Sequence, residues 1–363
     1  GTLGVARTSG GGERPLRHIS QPKGITEHWS ARNDSALGLQ AGYRFNDSFS
    51  AVIQGTSSQR YDGSYDPQIT WAFLRYDVTP RFSLRVGRVG AEFLMGSNAR
   101  KVGYSYLPVR PAIDFYGIIP IESADGLGAQ LKWPLGEGTL SAEAFAGRAS
   151  DDIPPYDLAG SKVLRGSLGY DRGNWQFRYI YAQGRLSDNV PAVEPLRDQL
   201  KMAGATAAAD DLAFKHSLVR YHSLGVNYDD GLWQARAMIN RITQDSSLME
   251  NQHAATLLVA RRFGDVTPYL GYTYAKSSRK TLDSLPNYLA SAFGDAIAQA
   301  MASTHLHRKT ATFGARWDFA SQMSLTGQVD FVHGSKSSVL LLEEGSHGNG
   351  KTKIFSLSLD FVF

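Results

Sequence analysis

The last fourteen residues of the chain, 350–363, read GKTKIFSLSLDFVF. From Phe355 onward every second side chain is large and apolar, whereas the positions between them are mostly polar, with Ser356, Ser358 and Asp360. A repeat of two residues places alternate side chains on opposite faces of a β-strand. The stretch therefore predicts a strand with one apolar and one mostly polar face, as in a soluble β-sandwich or in a barrel that spans a membrane.

Composition excludes a helical membrane protein. The chain has 363 residues, 42% of them hydrophobic, and no apolar run approaches the ~18 residues that a membrane helix needs. A membrane barrel fits this composition and the mean hydropathy of -0.27, because only every second residue of its strands faces lipid. Cysteine is absent, which excludes disulfides and thiolate metal sites and is typical of a chain that crosses an oxidising periplasm. No signal peptide precedes Gly1, so we expect the numbering to begin after cleavage.

Short and long connections alternate along the chain. Short turns rich in Asn, Asp and Gly stand between alternating strands at 46–48, 79–81, 136–138, 171–174, 229–231, 264–265 and 320–322. Longer, more polar connections lie at about 8–33, 59–65, 91–122, 150–160, 188–215, 247–252, 278–304 and 336–349. Short turns at one end and long loops at the other are typical of an outer-membrane barrel.

The strands number about sixteen, an even number as a bacterial barrel of one chain requires. The weakest is the first, 1–7, which we assign partly because an open sheet edge cannot lie in hydrocarbon. No linker-like break divides the chain, so we expect an all-β fold, one antiparallel up-and-down transmembrane barrel over 1–363. Aromatic residues gather where strands meet the short turns, as in an interfacial girdle: Tyr43, Phe45, Phe49, Tyr76, Phe82, Trp133, Tyr170, Trp175, Tyr228, Trp233, Phe263, Trp317, Phe319 and Phe363.

Together, the strand count, the placement of the loops and the terminal Phe363 make the chain similar to the sixteen-stranded porins of the Gram-negative outer membrane. In that family the final Phe belongs to the sorting signal that the assembly machinery recognises. The resemblance implies a homotrimer embedded in outer-membrane lipid and lipopolysaccharide, through which small hydrophilic solutes diffuse passively. It also implies that the third long loop, 91–122, folds inward and constricts the pore.

The loop 91–122 is long and rich in aromatic residues, so we expect it to be ordered and functional. Its candidate solute-contacting residues are Arg100, Lys101, Tyr104, Tyr106, Arg110, Asp114 and Tyr116. It lacks the acidic Pro-Glu-Phe-Gly-Gly-Asp motif of the general-diffusion porins, since Ala91-Glu92-Phe93 shares only the Glu-Phe pair with that motif. In its basic, tyrosine-rich character the loop is closer to substrate-selective anion porins.

Inward-facing charges set the selectivity of a pore. Continuing each strand's alternation places these basic residues inward: Arg44, Arg75, Arg85, Lys132, Arg165, Arg178, Arg236 and Arg316. The inward acids are fewer, namely Asp77, Glu143, Asp318, Asp330 and Asp360. This excess predicts a preference for anions such as organic acids or phosphate. The alternative is that the arginines pair with the acids and rigidify the wall.

Two loops carry helical patterns. In 188–215, Pro195 could open a helix with Leu196, Leu200 and Ala203 on one face; in 278–304, Leu289, Phe293, Ile297 and Met301 recur at intervals of four. We expect both helices to pack over the extracellular mouth, as lids or partner sites at most.

The sequence contains no convincing catalytic or cofactor motif, and we expect a protein that is not an enzyme. His305 and His307 could ligate a metal, and the acidic pairs 151–152, 210–211 and 343–344 could hold cations, but solvated side chains explain both. Basic residues are spread over many strands, which argues against nucleic-acid binding. The remaining alternatives are a barrel enzyme of the phospholipase or protease type and a plugged structural or adhesive barrel.

Overall fold

A computed structural model describes residues 1–90, 92–96, 103–119, 121–150, 158–278 and 293–363. Sixteen antiparallel strands close into one barrel, each paired with its neighbours in the chain. The strands are β1 Thr2–Thr8, β2 Ala36–Arg44, β3 Phe49–Ser58, β4 Gln68–Thr79, β5 Phe82–Gly90, β6 Ser123–Leu135, β7 Gly138–Ala149, β8 Lys162–Arg172, β9 Trp175–Arg185, β10 Leu218–Asp229, β11 Trp233–Gln244, β12 Asn251–Arg261, β13 Val266–Ser278, β14 His307–Ala320, β15 Met323–Gly334 and β16 Lys351–Phe361. The fold predicted from the strand pattern is confirmed.

The first and last strands close the barrel. β1 pairs with β16 from Thr2 opposite Asp360 to Thr8 opposite Ile354, so the weak first segment is a full strand one residue beyond its predicted bounds. On its other side β1 meets β2 only at Thr2 and Ala36. Where β2 is not paired with β1, the connection 9–35 takes its place, since Ala6 and Ser30 exchange backbone hydrogen bonds of 3.0 Å.

The outward face of the barrel is an exposed apolar band. Leu39, Leu127 and Leu270 are 59%, 56% and 58% exposed, although residues of this kind are normally buried in water-soluble proteins. Near the short turns the aromatic side chains pair, as in Phe49 stacked on Tyr76 at 4.6 Å between ring centroids. Such a surface is stable against lipid rather than against water. None of the described helices is long and apolar enough to cross a membrane.

Among the described residues, four α-helices lie in the long connections: α1 Ile113–Tyr116, α2 Glu194–Met202, α3 Thr206–Asp211 and α4 Gly294–Ala302, with 3₁₀ turns at Gly103–Ser105 and Pro191–Val193. We expected helix only in 188–215 and 278–304, and α1 corrects this, because one isolated turn is too short to produce a periodic pattern. In α2, Leu200 is buried but Ala203 is the exposed C-cap, so the apolar face runs through Val193 instead. Leu289 lies outside the described residues, whereas Ile297 of α4 is fully buried.

Candidate functional site

The inner wall of the barrel has a covered side and an open side. On β15 and β16 the inward residues are buried, as shown by Ser324 and Ser358 at 0% exposure and Asp360 at 3%. On β2 the inward residues Gln40 and Arg44 are exposed. What covers β15 and β16 is the segment 103–119, whose backbone and side-chain groups bond to inward-facing groups of β14 to β16.

Arg110 is the main attachment of this segment. Its guanidinium donates to both carboxylate oxygens of Asp34, at 2.9 and 2.6 Å, and to Asp330 at 3.1 Å and Ser356 at 2.5 Å. Its side chain is 1% exposed. Burial alone would raise the pKa of Asp34, but the charge and hydrogen bonds of Arg110 and the charge of Arg17 outweigh burial and hold this pKa below its usual range. We expected Arg110 to contact solute; its burial and pairing instead make it an anchor.

Asp114 and Arg316 fasten the same segment at two further points on β14. Asp114 accepts from Arg308 at 3.1 Å and from Thr310 at 2.6 Å, and it is 2% exposed. Arg316 donates to the backbone carbonyl oxygens of Tyr104 and Tyr106, both at 2.8 Å. Asp114 therefore binds Arg308 of the wall, and its burial makes it a second anchor of the segment.

The tyrosines of the segment serve this attachment as well. The guanidinium carbon of Arg316 lies over the Tyr104 ring, 4.5 Å from the ring centroid. Tyr106 and Tyr116 are each 7% exposed, and their hydroxyls donate to the carbonyl oxygens of Gly96 at 2.6 Å and Met95 at 3.0 Å.

Tyr116 also contacts Arg236, which in turn donates to Asn227 at 3.2 Å. Burial raises the pKa of Tyr116, although the charge and hydrogen bond of Arg236 act in the opposite direction. Arg100 and Lys101 lie outside the described residues.

Above this polar attachment lies an apolar core inside the barrel. It joins Phe93 and Phe115 of the connection 91–122 to Val163 and Ala182 of the inner wall, and to Leu200 of α2. All of its buried members are at most 9% exposed, so apolar side chains fill most of this part of the lumen. The covered side is thus closed by ordinary hydrophobic packing as well as by ion pairs.

The open side, β2 to β7, carries four of the remaining predicted basic residues. Arg44 and Lys132 point inward and are exposed, and neither forms an ion pair with another described residue. Arg75 and Arg85 stand directly opposite each other, an unfavourable placement of like charges. It is relieved by Asp77, 2.7 Å from Arg75, and by Glu143, 3.7 Å from Arg85.

Two further arginines, on β8 and β9 where the apolar core begins, are partnered by acids. Arg165 is 3.1 Å from Glu143 and 3.3 Å from Glu92. Arg178 donates to Ser141 at 2.9 Å and to Asp171 at 3.5 Å. Most of the inward arginines are therefore paired with acids, whereas Arg44 and Lys132 form no ion pair with another described residue. The preference for anions stays a prediction.

Glu92 lies at the entrance to the connection 91–122, and its side chain is 21% exposed. Desolvation raises the pKa of Glu92, and the charge of Glu143 adds to this, while Arg165 and Arg85 oppose it. The cluster of Glu92, Glu143 and Arg165 therefore gains positive charge when the pH falls.

One Ser-His-Glu group is assembled among the described residues. His305 Nδ1 is 2.8 Å from Glu250 Oε2, and Ser277 donates to the same oxygen. In a hydrolytic triad the serine and the acid occupy opposite ring nitrogens of the histidine. Here both lie on the Nδ1 side, with Ser277 Oγ 3.4 Å from it and 2% exposed, so the group fastens the end of a loop. The spacing of two residues suggested that His305 and His307 share a strand face, but His305 precedes β14 and lies outside it.

Sequence reasoning missed Asp34, Arg308 and Glu92 as partners. Arg308 could have been found by extending the inward alternation of β14 from Arg316 back to the start of the strand. Asp34 lies 76 residues from Arg110 in a connection without periodicity, so no local signal identifies it.

No family model matches the sequence, and no curated protein does. Solved structures do. An anion-selective porin from Comamonas acidovorans is 13% identical with a TM-score of 0.58, over 100% of this chain and 99% of that one. A high-pH structure of Pseudomonas putida OprB is 11% identical with a TM-score of 0.60, over 100% and 92%. The outer membrane channel DcaP of Acinetobacter baumannii is 13% identical with a TM-score of 0.55, over 99% and 96%. At these identities the likeness concerns the fold, and the chain has the sixteen-stranded fold of these outer-membrane channels.

Proposed function

We propose that the protein is a porin of the Gram-negative outer membrane that lets small hydrophilic solutes diffuse along the open side of its lumen. The observation that carries this proposal is the exposure of inward polar residues on β2 to β7, such as Gln40, Arg44 and Lys132, beside a covered opposite wall. Polar side chains accessible to water on the inside of an apolar-coated barrel are what a diffusion channel needs. The three structural neighbours are porins or channels, which supports the proposal.

The solutes preferred are small anions, such as organic acids and phosphate. On β2 to β9 the inward basic residues are Arg44, Arg75, Arg85, Lys132, Arg165 and Arg178, and they outnumber the inward acids Asp77, Glu143 and Asp171. A wall with this excess raises the local anion concentration. Arg44 and Lys132 supply free charge, while the acids beside Arg85 and Arg165 keep the wall from holding an anion so strongly that it cannot leave.

Arg44, Arg75, Arg85, Lys132, Arg178 and Glu143 form the solute route in this proposal. Arg165, which is 7% exposed and paired with Glu143 and Glu92, borders it. Tyr104, Tyr106, Arg110, Asp114, Tyr116, Arg236 and Arg316 shape the route indirectly, because they hold the segment that covers the opposite wall. For Arg100 and Lys101 the role of contacting solute stays a prediction from the sequence.

Planar-bilayer recording tests the proposal. The purified protein should form discrete ohmic channels, and a tenfold KCl gradient should give a zero-current potential of the sign expected for chloride over potassium. Succinate and phosphate should pass in liposome-swelling assays faster than cations of similar size. A zero-current potential of the opposite sign would contradict the proposed preference for anions. The absence of any conductance would favour a plugged barrel instead of a channel.

The protein assembles as a homotrimer in this proposal, on the strength of its resemblance to sixteen-stranded porins. Light scattering in mild detergent, corrected for bound detergent, measures the protein mass of the particle. About three times the chain mass of 39.7 kDa is expected. A monomeric mass would refute the trimer and leave the channel intact.

A further inference from the structure

A cavity of about 120 Å³ lies within the apolar core, at the strand ends nearest the long connections. The inner wall from β8 to β12 forms one side of it, with Val219 and Ile242 among the inward residues. The long connections form the other side, and Phe93 and Ile119 belong to the connection 91–122. The cavity is therefore part of the covered side of the lumen.

Several apolar side chains of the cavity keep accessible surface, although they pack against the apolar core. They are Ile19, Val219, Ile242 and Met249. Two other residues of the lining, Ala182 and Leu186, are only 1% and 4% exposed. Covering apolar surface is favourable, so the uncovered side chains make the cavity a suitable place for an apolar molecule.

The size and the walls of the cavity fit one aromatic ring. A cavity of roughly 150 Å³ lined by Leu, Ile and Phe holds benzene in another protein, and the volume here is of the same order. Phe93, Phe214 and Tyr221 contribute aromatic side chains to the lining. The rings of Phe93 and Tyr221 meet edge-on, with their centroids 6.2 Å apart. This is a favourable geometry between aromatic rings, and it leaves ring surface for a third ring to pack against.

No charged side chain lines the cavity among the described residues. A carboxylate or phosphate that entered would lose its hydration without gaining a counter-charge, which is strongly unfavourable. In this respect the cavity is the opposite of the proposed solute route, where the basic residues Arg44 and Lys132 are exposed. The molecule that fits the cavity is therefore neutral.

One polar group of the lining indicates a ligand that donates a hydrogen bond. Gln252 of β12 stands opposite Ile242 of β11, which in turn stands opposite Tyr221 of β10, so these three residues form one row of the wall. Gln252 is 6% exposed, and its amide oxygen accepts no hydrogen bond from a described residue. A buried oxygen without a donor is unfavourable, and a hydroxyl or amino group on the ligand would satisfy it.

We infer that the cavity binds one neutral, single-ring aromatic molecule with a hydrogen-bond donor, which is the chemistry of phenol. The ring packs between Phe93 and the wall residues Val219 and Ile242, and the donor group binds the amide oxygen of Gln252. The bound molecule thereby joins the connection 91–122 to the inner wall. This site goes beyond the proposed passage of solutes and does not depend on it.

Fluorine NMR of 4-fluorophenol with the whole chain in detergent tests the inference, and protein-free micelles serve as the reference. The wild type should give a saturable bound signal that unlabelled phenol displaces. Val219→Phe places a larger side chain in the cavity and should weaken binding about tenfold or more. Val226→Phe is the matched control on the same strand, since Val226 shares the outward alternation of the exposed Leu224, and it should bind like the wild type.

Gln252→Leu tests the hydrogen bond separately, because it keeps most of the side-chain volume and removes the acceptor. It should weaken binding of 4-fluorophenol about fivefold without weakening that of fluorobenzene. An equal loss for both probes would contradict the role of Gln252 as the acceptor.

The wild type alone provides a further comparison, which does not require that any variant folds. It should bind 4-fluorophenol more tightly than fluorobenzene, and 4-fluorobenzoate, which is charged at neutral pH, should not displace it. A wild type without a saturable signal beyond that of the micelles would overturn the inference. Equal binding by Val219→Phe and Val226→Phe, or full displacement by 4-fluorobenzoate, would overturn it as well.

Discussion

The inner walls of β15–β16 and of β2–β3 follow the same alternation of side chains, yet their polar residues have opposite surroundings. Ser324, Thr326 and Ser358 are at most 1% exposed, beneath the segment 103–119, whereas Gln40 and Arg44 face the open lumen. The difference shows that an inward position does not define a pore-lining residue. A charge under the segment belongs to the architecture, and a charge across from it is available to solute.

The largest expected effect comes from Arg110→Met on the covered side. The change leaves Asp34 and Asp330 buried without their partner and should lower the free energy of unfolding by about 3–5 kcal/mol. Urea unfolding in detergent, followed by tryptophan fluorescence, measures this loss. Arg44→Met is the matched control on the open side and should change stability by no more than about 0.5 kcal/mol. Equal losses in both variants would abolish the distinction between the two walls.

The next effect concerns selectivity and the open side. Arg44→Gln combined with Lys132→Gln removes the two free inward charges, and the permeability ratio of chloride to potassium should fall about two- to fivefold. Zero-current potentials in a KCl gradient give the ratio. Arg308→Gln removes an inward charge bonded to Asp114 on the covered side and should change the ratio much less. A larger shift in Arg308→Gln than in the double variant would contradict the assignment.

The smallest effect is a pH dependence at Glu92. Because burial raises its pKa above the ordinary 4.5, Glu92 takes up its proton at a higher pH than a solvated glutamate. Loss of its negative charge beside Arg165 should then increase anion preference by about twofold or less as the solution is acidified. Glu92→Gln should show the acidic value already at neutral pH and lose this step. Glu137→Gln, in an exposed turn, should keep the step, and a wild type without any step would count against the prediction.

The barrel could be predicted from the sequence because the alternation of apolar and polar side chains is a local feature of each strand. Each strand shows its faces through its own residues, and Gly136 and Gly173, with φ of 59° and 54°, mark turns that favour glycine. The short turns predicted at 136–138 and 171–174 therefore lie at or within a residue of the joints between paired strands of the structure. The helix α1 was not predicted because four residues are too few to show a helical period.

The candidate site is harder to predict from the sequence than the fold, because a charged residue meets its partners through tertiary contacts. Arg44 and Arg110 have the same chemistry, and nothing near either residue reveals that only Arg110 meets a carboxylate from a connection 76 residues away. The sequence-based expectation of an anion preference therefore included anchoring arginines. Burial, which the alternation does not report, separates the two kinds.

Thiol accessibility tests the two walls most directly, since the chain has no cysteine of its own. Gln40→Cys places a thiol on the open wall, and Ser356→Cys places one on the covered wall, where Ser356 is 5% exposed. A small anionic methanethiosulfonate reagent is added to single channels of each variant in a planar bilayer. Conduction along the open wall predicts a stepwise fall in current for Gln40→Cys and none for Ser356→Cys. A fall in current for Ser356→Cys, with Gln40→Cys unaffected, would show that solutes take the other side of the barrel.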